Sequence, residues 1–308
     1  MNQGPVEPST SSTEAPLRDA LTIGIAQTGP VLTDDPRAML PAAREMFERA
    51  AAAHVELLLF SEVFLTPFFP NRLEPDFDRW FVEADGPVMG ELAALARAHG
   101  IAAVFGFGER AGAAYFNSAL VCDEAGRTLG IYRKTHIPAY FPTSQQGGTG
   151  SFEKLYFTPG GTLPVFAWRG TRFGIQICND RLYPEASRVL ALRGAQMILM
   201  PICFSTYGDP AQRASIWEVP LRARAYENGV YVIASNRVGV EGPRHHLGRS
   251  MVVDPRGMIV AEAGTREPEL LVSRIDLAAV RRARVGFPWW RDRRPDLYAD
   301  LGTIEPPG

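Results

Sequence analysis

The stretch "RFGIQICNDRLYPEASRV" (residues 172–189) decides how the chain is read. An apolar run from Phe173 to Ile177 has the composition of a buried strand, and it ends on Cys178. An amide, a carboxylate and a guanidinium follow at once: Asn179, Asp180 and Arg181. From Pro184 the pattern turns helical. A strand-to-helix junction leaves backbone N–H groups unpaired; these favour a thiolate and can bind an oxyanion. The same local sequence would also suit a small buried cysteine ahead of a polar loop, so the rest of the chain has to arbitrate.

Working outward, the flanking segments repeat one scheme. "LTIGIAQ" (21–27), "VELLLF" (55–60) and "IAAVFGF" (101–107) read as strands. Between them lie a helix within 33–54, with Thr33 or Asp34 as cap, and a helix ending at Gly100. The middle and later chain contains strand–turn–strand patterns at 116–134, 163–178 and 248–264. Strand–helix units at 184–201 and 213–236 are interleaved with them. Hairpins mixed with strand–helix units predict mixed sheets covered by helices. No repeat or linker divides the chain, which predicts one domain at 20–284. A flexible Pro/Ser/Thr-rich tail is expected at 1–19, and a C-terminal tail with Trp289 and Trp290 at 285–308.

Composition removes several classes of function. The chain has 308 residues, 46% hydrophobic and 21% charged, with a formal net charge of −2. That balance gives no electrostatic footprint for nucleic acid or an anionic membrane. The longest uncharged stretch, "GAQMILMPICFSTYG" (194–208), is too short to span a bilayer, and residues 1–20 lack the apolar run of a signal peptide. Three cysteines without a C-x-x-C suit a reducing, cytoplasmic setting better than a disulfide framework. There is no G-x-S-x-G elbow, and "GFGERAG" (106–112) misses the dinucleotide spacing.

A thiol nucleophile needs a base and a group to hold developing charge. His54 and His99 stand at helix ends, and His245-His246 lies in a charged loop with no third ligand nearby, so no metal or cofactor is expected. Two further segments place a charge just past a buried strand: Glu62 in "FSEVFLTPFFP" and Lys134 in "YRKTHIP". Strand C-terminal ends are where sites gather in α/β folds. A carboxylate, an ammonium and a thiol at three such ends form a set suited to amide hydrolysis.

In order and context, Glu62, Lys134 and Cys178 resemble the Glu–Lys–Cys set of the nitrilase, or carbon–nitrogen hydrolase, superfamily. The resemblance extends over roughly residues 20–300. "ICNDRLYPE", "TPFFP" and "FEKLYFTPG" look like N-carbamoyl-D-amino-acid amidohydrolases, while residues 215–239 look like β-ureidopropionases and N-carbamoylputrescine amidases. It implies an α/β fold, a four-layer αββα sandwich with two mixed β-sheets. It also implies a homodimer or higher homo-oligomer, with the C-terminal tail either reaching across or packing within its own chain. By the same resemblance Glu62 is the base, Lys134 and the Asn179 N–H hold the oxyanion, Glu153 positions the lysine or the substrate, and His136 lies on the substrate side. Arg181 would grip a substrate carboxylate; the alternative for it is a loop arginine paired with Asp180 or Glu185. The expected activity is hydrolysis of an N-carbamoyl amino acid, a small molecule, to amino acid, CO2 and ammonia. A general aliphatic amidase or nitrilase is the second reading, and an idle binding or assembly protein the third. Two departures bear on the substrate: Leu182 stands where the D-carbamoylases carry a second arginine, and Cys203-Phe204 where they carry Asn-Thr.

Overall fold

The computed structural model describes residues 18–140, 150–206 and 210–303. Residues 1–17 of the expected N-terminal tail and 304–308 of the C-terminal one therefore lie outside the described residues. The strands in chain order are β1 (Ala20–Gln27), β2 (Leu57–Leu59), β3 (Ala102–Ala111), β4 (Ala114–Cys122), β5 (Thr128–Arg133), β6 (Val165–Trp168), β7 (Thr171–Ile175), β8 (Met197–Pro201), β9 (Ser205–Thr206), β10 (Tyr231–Ser235), β11 (Val238–Glu241), β12 (Arg244–Leu247), β13 (Met251–Val253), β14 (Ile259–Glu262) and β15 (Glu269–Asp276). One sheet runs β15-β1-β2-β3-β4-β5 and the other β14-β13-β10-β8-β7-β6. Pairing is parallel for β1–β2–β3 and β7–β8–β10 and antiparallel elsewhere, so both sheets are mixed.

The layers follow from the period of two along each strand. Ile23, Ile25, Leu57, Leu59 and Val104 point from the first sheet into a core shared with Phe173, Ile175, Leu199 and Ile233 of the second. The alternate residues Leu58, Ala103 and Phe105 point the other way. There they meet α1 (Leu40–Ala52) and α2 (Pro87–His99), through Ala43, Phe47, Leu92 and Ala96. On the far side, Ile198, Met200 and Val232 pack against Leu190 and Trp217. These belong to the helices that flank β8: one at Pro184–Leu192 and one at Pro210–Asn228. Four layers result, α-β-β-α, as the family resemblance implies.

Several details differ from the sequence reading. Asp35, rather than Thr33 or Asp34, is the N-cap: its side chain accepts a hydrogen bond from the Arg37 N–H, and a 3-10 turn at Pro36–Met39 precedes α1. The strand before Cys178 stops at Ile175, so the thiol stands in the turn beyond it. His245 and His246 are in a strand, β12, within a small sheet of order β11-β12-β9. His245 is exposed there and His246 buried, so the two rings face opposite ways. β15, absent from the sequence reading, closes the edge beside β1. In the C-terminal segment, the Trp289 ring meets Tyr226 edge-on, and the Arg188 guanidinium lies over Trp289 and Trp290, all within one chain. Among the described residues, no helix is long and apolar enough to cross a membrane.

Candidate active site

The C-terminal ends of β2, β5 and β7 converge, and each delivers one charged or nucleophilic side chain. Glu62 follows β2; its segment is fixed to β3 by Phe60 N–H donating to Val104 O (2.9 Å) and Phe64 N–H donating to Gly106 O (3.0 Å). Gly106 is what permits this approach. A Cβ there would stand 2.3 Å from Ser61 O and 2.9 Å from Glu62 Cα. Gly106→Ala is expected to push the Glu62 backbone aside. Overpacking of this kind costs about 1–3 kcal/mol, and a misplacement of about 1 Å can cost about 10²-fold in rate. Thermal unfolding and kcat measured together check this, and a wild-type kcat would show that Glu62 tolerates displacement.

Lys134 follows β5, its N–H donating to Asn117 O (2.8 Å) so that the ladder carries one residue past the strand. Its Nζ donates to Glu62 Oε1 (2.8 Å) and Glu153 Oε2 (2.6 Å), and all three side chains are buried. Asn117 Nδ2 also donates to Glu62 Oε1, at 2.7 Å. Oε1 is therefore doubly occupied. Oε2 is buried and has no hydrogen-bond partner among the described residues, and the Cys178 thiol is near enough to help lower the pKa of this carboxylate.

Cys178 opens a five-residue 3-10 turn, Cys178–Leu182, with φ of 46°, in the left-handed region that non-glycine residues rarely adopt. Asp180 holds that turn in place. Its Oδ2 accepts from the Ile177 N–H (2.8 Å) and the Tyr132 hydroxyl (2.7 Å). Its Oδ1 accepts from the His136 N–H (2.9 Å) and lies 2.8 Å from His136 Nδ1. One buried carboxylate thus ties the nucleophile's turn to the loop carrying Lys134. This function is invisible in sequence, where Asp180 is simply one of three polar residues after the thiol. His136, expected on the substrate side, is committed to Asp180 and stacks on Tyr183 at 3.9 Å; its ring does not line the pocket. Asn179 Nδ2 donates to His136 O at 3.1 Å.

The electrostatics weigh the junction's pull toward a thiolate against burial. Burial pushes the Cys178 thiol up to about 11, the Glu62 charge adds to that, and Lys134 and Arg181 oppose it. Burial beside a carboxylate thus favours the thiol form over the thiolate. Burial would raise Glu62, but the Lys134 charge and the hydrogen bonds of Lys134, Asn117 and the thiol hold it below its ordinary value. Glu153 is raised by burial and by the neighbouring Glu62 charge, against the pull of Lys134. Burial would lower Lys134, yet Glu153 and Glu62 keep it well above the usual lysine range. Lys134 is thus a fixed cation between two carboxylates that cannot both relax.

A pocket of about 180 Å³ opens onto the thiol, and Glu153, Asn179, Arg181, Arg213, Arg244, Phe68 and Phe204 are in its wall. Arg181 is 3% exposed, and its Nη1 donates to Cys178 O (2.7 Å) and lies 3.7 Å from Cys178 Sγ. Among the described residues no carboxylate pairs with it, neither Asp180 nor Glu185. A larger groove of about 450 Å³ lies between the two helices flanking β8 and the C-terminal segment, lined by Arg188, Glu227 and Trp289. It lacks the thiol and its acid–base partners, so the chemistry belongs to the smaller pocket.

Comparison with known proteins agrees with this geometry. The chain is 33% identical over 288 residues to an N-carbamoylputrescine amidase of Arabidopsis thaliana, covering 89% of this chain and 93% of that one. It is 31% identical over 255 residues to a citrullinase of Francisella tularensis, covering 78% and 86%. The crystal structure of a carbon-nitrogen hydrolase from Helicobacter pylori G27 superposes with a TM-score of 0.85 at 29% identity, over 93% of this chain and 100% of that one. The carbon-nitrogen hydrolase family model matches residues 22–285, from the first strand of the first sheet to the helix beyond its last. A match over the whole sandwich that carries the thiol, the ammonium and the two carboxylates leaves one conclusion: this chain belongs to the carbon–nitrogen hydrolase family, as an amidohydrolase.

Proposed function

We propose that the chain removes the carbamoyl group from a small N-carbamoyl substrate bearing a carboxylate. Glu62 Oε2 takes the Cys178 proton as Sγ attacks the carbamoyl carbon. A free thiolate need not accumulate, because the proton leaves as the C–S bond forms. The oxyanion of the tetrahedral intermediate is stabilised by Lys134 Nζ and the Asn179 N–H. The C–N bond breaks, and Glu62 returns its proton to the departing amine. Water then gives a proton to Glu62 and attacks the S-carbamoyl carbon; the thiol is restored, and carbamate falls to CO2 and ammonia. Glu153 keeps Lys134 oriented throughout.

The observation that carries the substrate reading is Arg181: a buried guanidinium beside the nucleophile, with no carboxylate partner among the described residues. A guanidinium fork matches a carboxylate bidentately. Arg213 and Arg244 add positive charge to the same wall. The two relatives differ on this point: putrescine ends in an amine, whereas citrulline carries a ureido group and an acid, and a wall of arginines favours the acid. Phe204 and Cys203, apolar where the D-carbamoylases have Asn-Thr, favour the second reading, a simple amide.

Arg181→Leu separates the two. A hydrogen bond to a charged group is worth about 1.5–3 kcal/mol, so kcat/KM for an N-carbamoyl amino acid should fall at least about tenfold. The matched carboxamide and N-carbamoylputrescine should lose much less. Equal losses for acid and carboxamide would make Arg181 a brace for the Cys178 carbonyl and move the simple-amide reading ahead.

A further inference from the structure

A second buried charge pair lies directly beneath the general base. Arg237 is fully buried, 175 residues from Glu62 in the chain, and its Nη1 donates to Glu241 Oε2 at 2.7 Å. Its Nη2 donates to two consecutive carbonyls, Glu62 O (3.2 Å) and Val63 O. In an extended strand, consecutive carbonyls point to opposite sides and cannot meet one nitrogen. They do so here because Val63 has φ of 40°, a left-handed value that a β-branched residue adopts only when its surroundings impose it. Glu241 fixes the same segment a second time, accepting from Phe68 N–H, and accepts from Val31 N–H at 2.9 Å as well. The segment 62–68, which carries the catalytic carboxylate, is therefore clamped at its start by the guanidinium and at its end by the guanidinium's own partner.

Resting on the assignment of Glu62 as base, we infer that Arg237, braced by Glu241, is a positioning residue: it holds the Glu62–Val63 backbone in the strained geometry that aims Glu62 Oε2 at the Cys178 thiol. Its charge also bears on Glu62, since each favours the ionised form of the other. Among the described residues, the other titratable groups facing the pair are His246, whose Nε2 is 3.6 Å from Glu241 Oε1, and Cys203, with Arg244 beside these two.

The test measures kcat, KM and the acid limb of kcat/KM for Arg237→Gln, Arg237→Lys and Glu241→Gln, with Glu62→Gln alongside. Losing the fixed aim of the base should lower kcat of Arg237→Gln by about 10–10²-fold with KM within about twofold, as expected of a reacting group displaced by up to about 1 Å. The acid limb, set by the coupled Glu62–Glu153 pair, should move to higher pH, because a cation that favoured the ionised carboxylate is gone. Arg237→Lys keeps the charge but not the two-carbonyl fork, so it should restore the limb and only part of kcat. If Arg237→Gln does not fold, Glu241→Gln decides: it preserves volume, removes an anion and leaves the Arg237 charge uncompensated, so it should move the limb to lower pH with a smaller loss of kcat. An unmoved acid limb in folded Arg237→Gln or Glu241→Gln overturns the inference, since merely destabilised protein loses rate without changing the pH profile. Wild-type turnover in Glu62→Gln would instead remove the base assignment itself.

Discussion

Cys178→Ala is expected to abolish turnover while leaving the fold intact. The substitution deletes one sulfur atom. It leaves in place the hydrogen bonds that hold the turn: Asp180 to Ile177, Tyr132 and His136, and Arg181 to the Cys178 carbonyl. No other group can form the covalent intermediate, so the loss should approach the about 10⁶-fold seen when a covalent nucleophile is removed from a hydrolase. Cys122→Ala and Cys203→Ala should keep the chemical step, although Cys203 is in the pocket wall and its variant can alter KM. Cys178 is also the only one of the three that is partly exposed. Iodoacetamide should therefore modify one thiol in the folded wild type and none in Cys178→Ala. Ammonia release, circular dichroism and mass of the alkylated protein check the three statements together. A folded Cys178→Ala with ordinary turnover would reject the mechanism.

The three strand ends were legible from two signals: a continuous apolar run, which marks a strand covered on both faces, and an ionisable residue just beyond it. Glu62 after "VELLLF" shows this most fully; Gln176 interrupts the run before Cys178, and the strand "TLGIYR" before Lys134 is only partly apolar, so Lys134 was legible from its place just past a strand. The edges carried no such signal. "ELLVSRID" becomes β15 although five of its eight residues are polar or exposed, because pairing with β1 and one half-buried face suffice for an edge strand. "RHHL" becomes β12 because it is paired on both sides, by β11 and β9, not because of its composition. Buried charges were the least legible feature. Asp180, Arg237 and Glu241 have the composition of solvated loop residues, and their roles depend on partners tens to hundreds of positions away. The electrostatics of Cys178 were hidden for a related reason: local sequence shows a helix start that favours ionisation, whereas the burial and the Glu62 charge that oppose it come from the tertiary fold.

Glu62→Gln should separate the two effects that Glu62 exerts on the thiol. As a base it removes the proton during attack; as a charge it raises the thiol pKa. Glutamine keeps the size and an oxygen that can accept from Lys134 and Asn117, but it cannot take up a proton. Loss of a general base costs about 10²–10⁴-fold, and kcat should fall by at least that much because Glu62 serves in both halves of the reaction. The charge effect runs the other way. Burial and then the Glu62 carboxylate raise Cys178 to about 11, while Lys134 and Arg181 lower it. Deleting the carboxylate removes one raising cause and leaves both lowering ones. The thiol should then ionise at lower pH, and the midpoint of iodoacetamide alkylation against pH should move down from near the wild-type value. A dead enzyme with a more acidic thiol is thus the expected combination. Continued protection of Cys122 and Cys203 from alkylation excludes simple disruption, because a site opened to water would relieve the burial that also raises the thiol and would expose those two buried cysteines. An alkylation midpoint that stays put or rises would mean that Glu62 does not face Cys178 closely enough to act as its base.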